Sequence, residues 1–251
     1  MQLVPLNSKA IRESKRPMKN SPLAPLMIVV VLIGMQSKLV GQNDLQANTK
    51  TVAVLIFDGV ELLDFTGPAE VFIVAEHGKA FRVLTVSEGG NPIRTMGGIQ
   101  VTPDFSVSDI PQADIIVVPG GGMSHVGQSG REWLKTAAAN AEVVMSVCMG
   151  AFLLADAGLL DGVRATTHRW GIASLKRAAP KCEVVSGERF VDSGKIITTA
   201  GVTAGIDGAL HIVKRVCGEE SARWTAEQWM EYTLPGTHSP TPSSKDAEPS
   251  E

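Results

Sequence analysis

Along the middle of the chain, short aliphatic runs alternate with segments of helical period. Residues 51–57 (TVAVLIF), 114–118 (DIIVV) and 142–147 (EVVMSV) are apolar on successive positions rather than alternate ones. That pattern predicts strands buried on both faces. Residues 81–87 predict a further strand, and 99–102, 165–167, 183–185 and 195–199 predict short ones. Between them, helices are predicted over 69–77, within 131–140, and over 150–157, 171–178, 203–216 and 219–230. Gly67-Pro68 reads as the start of the first of these, with Pro at the first helical position. Strands alternating with helices predict an α/β class, with a mostly parallel central sheet covered by helices on both faces. Ligands of such sheets sit outside the carboxyl ends of the strands. Three polar or glycine-rich segments fall there: Asp58 to Gly67, Pro119 to Gly122, and Cys148 to Gly150.

The pattern fails at both ends. Residues 1–48 carry six basic and two acidic residues, with an apolar run of ten at 26–35 (LMIVVVLIGM). Ten is short for a bilayer span, which takes roughly 20. A basic region followed by a short apolar one predicts an export signal or N-terminal anchor plus linker. Residues 234–251 (LPGTHSPTPSSKDAEPSE) have no apolar period and are expected to be disordered. That leaves 49–233 as one domain, with 16 basic against 21 acidic residues. A mildly acidic body is a poor footprint for nucleic acid. The histidines His77, His125, His168, His211 and His238 show no metal-ligand spacing, and no Walker-type phosphate loop is present, so neither metal nor cofactor is expected.

Chemistry concentrates at Ser146-Val147-Cys148-Met149-Gly150. A sharp strand-to-helix turn there would raise Cys148 above the sheet, with small residues two positions to either side. The following helix N-terminus would lower the thiol pKa. The competing reading is a buried structural thiol. Cys182 and Cys217 lack such a context; in an oxidising compartment a bond between them stays open. Trp224 and Trp229 are expected in the core or in a homodimer contact.

The segments FDGVELLDFTGPAEVF, VVPGGG, SVCMGAFLLADAGLLDGVRATTH and TTAGVTAGIDGALHIV together resemble the ThiJ/PfpI superfamily, a class I glutamine amidotransferase-like group. The resemblance implies a flavodoxin-like three-layer sandwich, and the branch it resembles is isonitrile hydratase-like, alongside the ligand domain of AraC-type regulators. The resemblance implies that Cys148 is the nucleophile and Asp64 the acidic residue facing it. It implies backbone donors at Gly121 and Met149 that hold developing negative charge, and a His168 close to the cysteine. Homodimers are usual in this superfamily. It implies a small-molecule substrate, with a non-catalytic, redox-responsive or sensor protein as the alternative. Met149 departs from the pattern. Peptidase-like members carry His there, so a local Cys-His dyad is absent and proteolysis is not expected. Isonitrile hydratase carries Thr, so a hydroxyl is missing. No H-x-E follows Cys148, which disfavours glutamine hydrolysis. AraC-type regulators continue into helix-turn-helix units after this domain, and DNA binding of that kind is not expected here.

Overall fold

The computed structural model describes residues 49–233. The leader and the tail lie outside the described residues. Among the described residues eleven strands form, in order: β1 (Lys50–Leu55), β2 (Phe81–Ser87), β3 (Ile93–Arg94), β4 (Gln100–Val101), β5 (Phe105–Ser106), β6 (Ile115–Val118), β7 (Val143–Ser146), β8 (Arg164–Ala165), β9 (Glu183–Val184), β10 (Phe190–Ser193) and β11 (Ile196–Thr199). The main sheet has seven of them in the order β10-β11-β7-β6-β1-β2-β5. All neighbours run parallel except β10, which pairs antiparallel with β11 at one edge. Every residue of β6, β7 and β11 is buried, down to Ser146 of β7 and Thr198 and Thr199 of β11.

The helices are α1 (Leu62–Val74), α2 (Gln128–Asn140), α3 (Ala151–Asp156), α4 (Ile172–Ala178), α5 (Ala204–Cys217) and α6 (Glu219–Trp224). Helix α1 packs against α5, α5 against α6, and α3 against α4. Close packing at α5 rests on missing side chains. A Cβ on Gly205 would lie 3.0 Å from Val147, and one on Gly208 would lie 2.4 Å from Thr199.

The sheet reverses direction between β1 and β6. After β1 the chain builds outward through β2 and β5; β6, β7 and β11 then extend the opposite edge. The loops after β1 and β6 therefore face one crevice, the usual ligand position in doubly wound sheets.

Three details differ from the sequence reading. Helix α1 begins at Leu62, not at Gly67-Pro68, and Pro68 lies inside it. Glu61, which precedes it, makes no side-chain cap, so no local start signal exists. Proline lacks the N–H that would bond the Asp64 carbonyl four residues back, a loss the surrounding packing tolerates. The sequence pattern does not predict strands β3, β5 and β10. The last helix is regular only to Trp224 and widens to a π turn over Thr225–Trp229. Trp229 is 58% exposed and donates to Glu70 at 3.3 Å, so it is not a core residue. Trp224 packs its ring against His77 at a 55° tilt, with centroids 4.2 Å apart. All three cysteines are free thiols.

Candidate active site

Four adjacent strand ends build the site. Cys148 follows β7. Its neighbour Val147 donates from N–H to Val118 O of β6 at 2.9 Å, and Cys148 donates to Ala200 O, after β11, at 2.7 Å. The Thr167 hydroxyl donates to the Cys148 carbonyl at 2.6 Å. Held from both sides, Cys148 adopts φ +56. Such a conformation in a non-glycine residue costs on the order of 1–3 kcal/mol and persists only where packing enforces it. Gly150 makes the elbow possible: a Cβ there would lie 2.1 Å from Val118 O.

Asp64 enters from the first turn of α1 and is fully buried. Its Oδ2 accepts the Gly120 N–H at 3.0 Å. Its Oδ1 is buried with no partner of full hydrogen-bond geometry. Gly120 is the hinge of the arrangement. A Cβ there would lie 2.7 Å from Met149 N, 2.8 Å from Asp64 Oδ2 and 3.0 Å from Cys148 Cβ. Only a glycine lets the carboxylate, the thiol-bearing residue and the Met149 amide converge.

Burial sets the electrostatics. It pushes the Asp64 carboxyl up to about 6, against the Gly120 N–H and the Cys148 thiol, which favour the carboxylate. Burial also pushes the Cys148 thiol up to about 12, and the Asp64 charge adds to this; the Met149 and Val202 N–H groups oppose it. The expected lowering of the thiol pKa by a helix N-terminus is thus overturned. Cys148 opens a single 3-10 turn (Cys148–Gly150) followed by a six-residue helix, and it is only 9% exposed. Desolvation outweighs so short a dipole. The resting pair is a thiol beside a carboxylate.

The residues expected at the site divide. Cys148, Asp64 and Met149 come together. Gly121 adopts φ +122 in a bridge with Val60; its neighbours Gly120 and Gly122 use their backbone groups toward residues 59–61. Among the described residues its N–H finds no acceptor, as an anion donor requires. His168 packs its ring on Gly201, where a Cβ would lie 2.3 Å from its Cδ2. Its Nδ1 accepts the Trp170 N–H at 3.4 Å, and it makes no hydrogen bond to the thiol. His125 is exposed, with Nδ1 2.7 Å from Asp58 O. Among the described residues no cluster of metal-ligating side chains occurs.

Sequence reasoning missed Gly120, the Thr167 hydroxyl and the Ala200–Thr203 turn. PGGG and TTAGVTAG were visible, but which glycine meets which side chain depends on register between strands far apart in sequence.

The DJ-1/PfpI family profile matches residues 50–215. Isonitrile hydratase from Pseudomonas putida is 34% identical over 184 residues, covering 72% of this chain and 78% of that protein. The HTH-type transcriptional regulator CdhR from Pseudomonas aeruginosa is 29% identical over 180 residues; the match covers 70% of this chain but 53% of the regulator. Among solved structures, a ThiJ/PfpI family protein from Pseudomonas syringae superposes with a TM-score of 0.67 at 24% identity, over 78% of this chain and 79% of that one. Since the profile spans the sheet from β1 to the last turn of α5 and takes in every strand end that builds the cysteine elbow, the chain belongs to the DJ-1/PfpI family.

Proposed function

We propose that the protein is a Cys148-dependent hydro-lyase or hydrolase of small molecules, with hydration of an isonitrile to an N-substituted formamide as the best-matched reaction. One observation carries the reading: a thiol on strained backbone beside a fully buried carboxylate with an unpartnered oxygen. Buried carboxylates of raised proton affinity are suited to move a proton near neutral pH. The 34% identical isonitrile hydratase supports the reaction class.

In this scheme Asp64 takes the Cys148 proton as sulfur adds to the isonitrile carbon. It then delivers that proton to the same carbon, leaving a thioimidate, R–N=CH–S. The Gly121 and Met149 N–H groups stabilise negative charge that develops on the adduct. Water adds to the carbon and the C–S bond breaks. One water proton ends on nitrogen and the other returns to sulfur, so formamide leaves and the thiol is restored. His168 has no part in this sequence.

Incubation of wild type and Cys148→Ala with a panel of isonitriles, aldehydes and amides tests the reading, with products followed by mass spectrometry. Formamide from the wild type alone is expected. A wild type inert toward the whole panel, or a fully active Cys148→Ala, overturns it.

A second reading, a non-catalytic ligand sensor, is favoured by the regulators among the relatives and by Met149 in place of a hydroxyl residue. It predicts saturable binding of a panel member without turnover. A redox-sensor version is weaker, because a buried thiol held protonated oxidises slowly. The leader is proposed to direct export, which fractionation of cells expressing the chain with and without residues 1–48 checks.

A further inference from the structure

Val202 is a β-branched residue at φ +48, at the turn after β11. A conformation that unfavourable for its side chain is a genuine outlier and must be enforced by its surroundings. Several of the contacts around this turn come from one residue, Arg189. Arg189 precedes β10. Its carbonyl accepts the Ala200 N–H at 2.8 Å, and Ala200 O in turn accepts the Cys148 N–H at 2.7 Å. Its guanidinium is ion-paired through Nε with Asp207 and reaches the Thr203 hydroxyl at 3.3 Å. Asp207 is buried in the first turn of α5, and its Oδ1 accepts the Tyr232 hydroxyl at 2.8 Å. Tyr232 OH is also 3.4 Å from the guanidinium. Arg189 therefore holds the turn 200–203 at both ends, through its backbone at Ala200 and its side chain at Thr203.

What the turn presents is the Val202 amide. It has no acceptor of full hydrogen-bond geometry among the described residues, and it favours the charged forms of both Asp64 and Cys148. The other groups acting on the pair are the Gly120 N–H on Asp64, the Met149 N–H on Cys148, and the charge of Glu61 on Asp64.

We propose that Arg189, Asp207 and Tyr232 form a clamp that holds the strained 200–203 turn, so that the Val202 main-chain N–H serves as a further donor to the Cys148 thiolate. Arg189 is a positioning residue: it touches neither Cys148 nor Asp64 but fixes a group that faces them. The inference rests on the reading of Cys148 as the nucleophile.

A structural ion pair alone would support stability and leave the thiol untouched, so the test reads the thiol. Full-length wild type, Arg189→Met, Arg189→Lys, Tyr232→Phe and Thr203→Val are alkylated with iodoacetamide from pH 6 to 10. Modification of each cysteine is followed by peptide mass spectrometry, and thermal unfolding is measured in parallel. Losing a hydrogen bond to a charged sulfur is expected to slow Cys148 alkylation about tenfold in Arg189→Met and to move its profile to higher pH. Arg189→Lys should recover part of the loss. Cys182 and Cys217 should keep their wild-type rates. Thr203→Val leaves the Arg189–Asp207 pair in place and removes only its tie to the turn, so slower Cys148 alkylation there supports the clamp even if Arg189→Met fails to fold. Folded variants with the wild-type Cys148 profile overturn the clamp alone. A wild-type Cys148 that resists alkylation at every pH while Cys182 reacts overturns both the clamp and the nucleophile. Turnover plays no part in the readout: a protein inert to isonitriles whose variants shift the Cys148 profile keeps the clamp and loses only the isonitrile reading.

Discussion

Asp64 and Asp207 each sit in the first turn of a helix, α1 and α5, and each is almost wholly buried, at 0% and 4% exposure. Their surroundings differ. Asp207 has an arginine on one oxygen and a phenol hydroxyl on the other. Asp64 has one backbone N–H on one oxygen and nothing of good geometry on the other. Burying a charge costs several kcal/mol unless it is paired and hydrogen-bonded. At Asp207 that cost is offset by partners. At Asp64 it remains, and it appears as a raised pKa. The same residue type, equally buried, is a strut in one place and a carboxyl of raised proton affinity in the other.

The sharpest way to break this comparison is to neutralise both. Asp64→Asn keeps an acceptor for the Gly120 N–H but cannot move a proton. Turnover is expected to fall about 10²–10⁴-fold, the usual worth of a positioned acid-base group; unchanged kcat/KM would show that Asp64 carries no proton. Asp207→Asn should instead act on stability, leaving Arg189 short of its counter-charge. Removing one partner of a fully buried pair costs roughly 3–5 kcal/mol. Because Arg189 is 43% exposed, we expect about 2–3 kcal/mol, read as a shift in the urea midpoint.

A smaller effect has the opposite sign. The folded state holds the Asp64 proton more tightly than the unfolded chain does, with a carboxyl raised from 3.8 to about 6. Wild-type stability attributable to this group is therefore full below pH 4 and declines as pH rises to about 6. Asp64→Asn has no such titration. It should be more stable than wild type by about 1–3 kcal/mol above pH 6, with the advantage gone near pH 4. Denaturant unfolding at pH 4 and pH 7 checks this, and an advantage of equal size at both would refute the raised pKa. The smallest change, Tyr232→Phe, removes one hydrogen bond to Asp207 and should cost about 1 kcal/mol, seen as a few degrees in Tm.

Much of this architecture could be read from the chain alone. The aliphatic runs at 51–57, 114–118 and 142–147 became β1, β6 and β7, because a strand buried on both faces tolerates little else. The elbow was legible from Ser146 and Gly150 around Cys148. The start of α1 was not. Pro68 is a common first helical residue, yet here it lies within the helix, held by packing rather than by local capping. That error also moved Asp64 from a helix into a loop. The strand β10 was hidden because its few residues gain their conformation from pairing with β11.

The sequence by itself determined the main buried strands and most of the helices, and which thiol sits at a turn crowded enough to need small neighbours. Those properties depend on residues a few positions apart. Only the tertiary structure decided the state of that thiol. Its proton affinity follows from desolvation and from Asp64, Gly120, Met149 and Val202, which four separate strand ends bring together. Electrostatic energy inside a protein depends on distance and burial in three dimensions, and neither is a function of spacing along the chain.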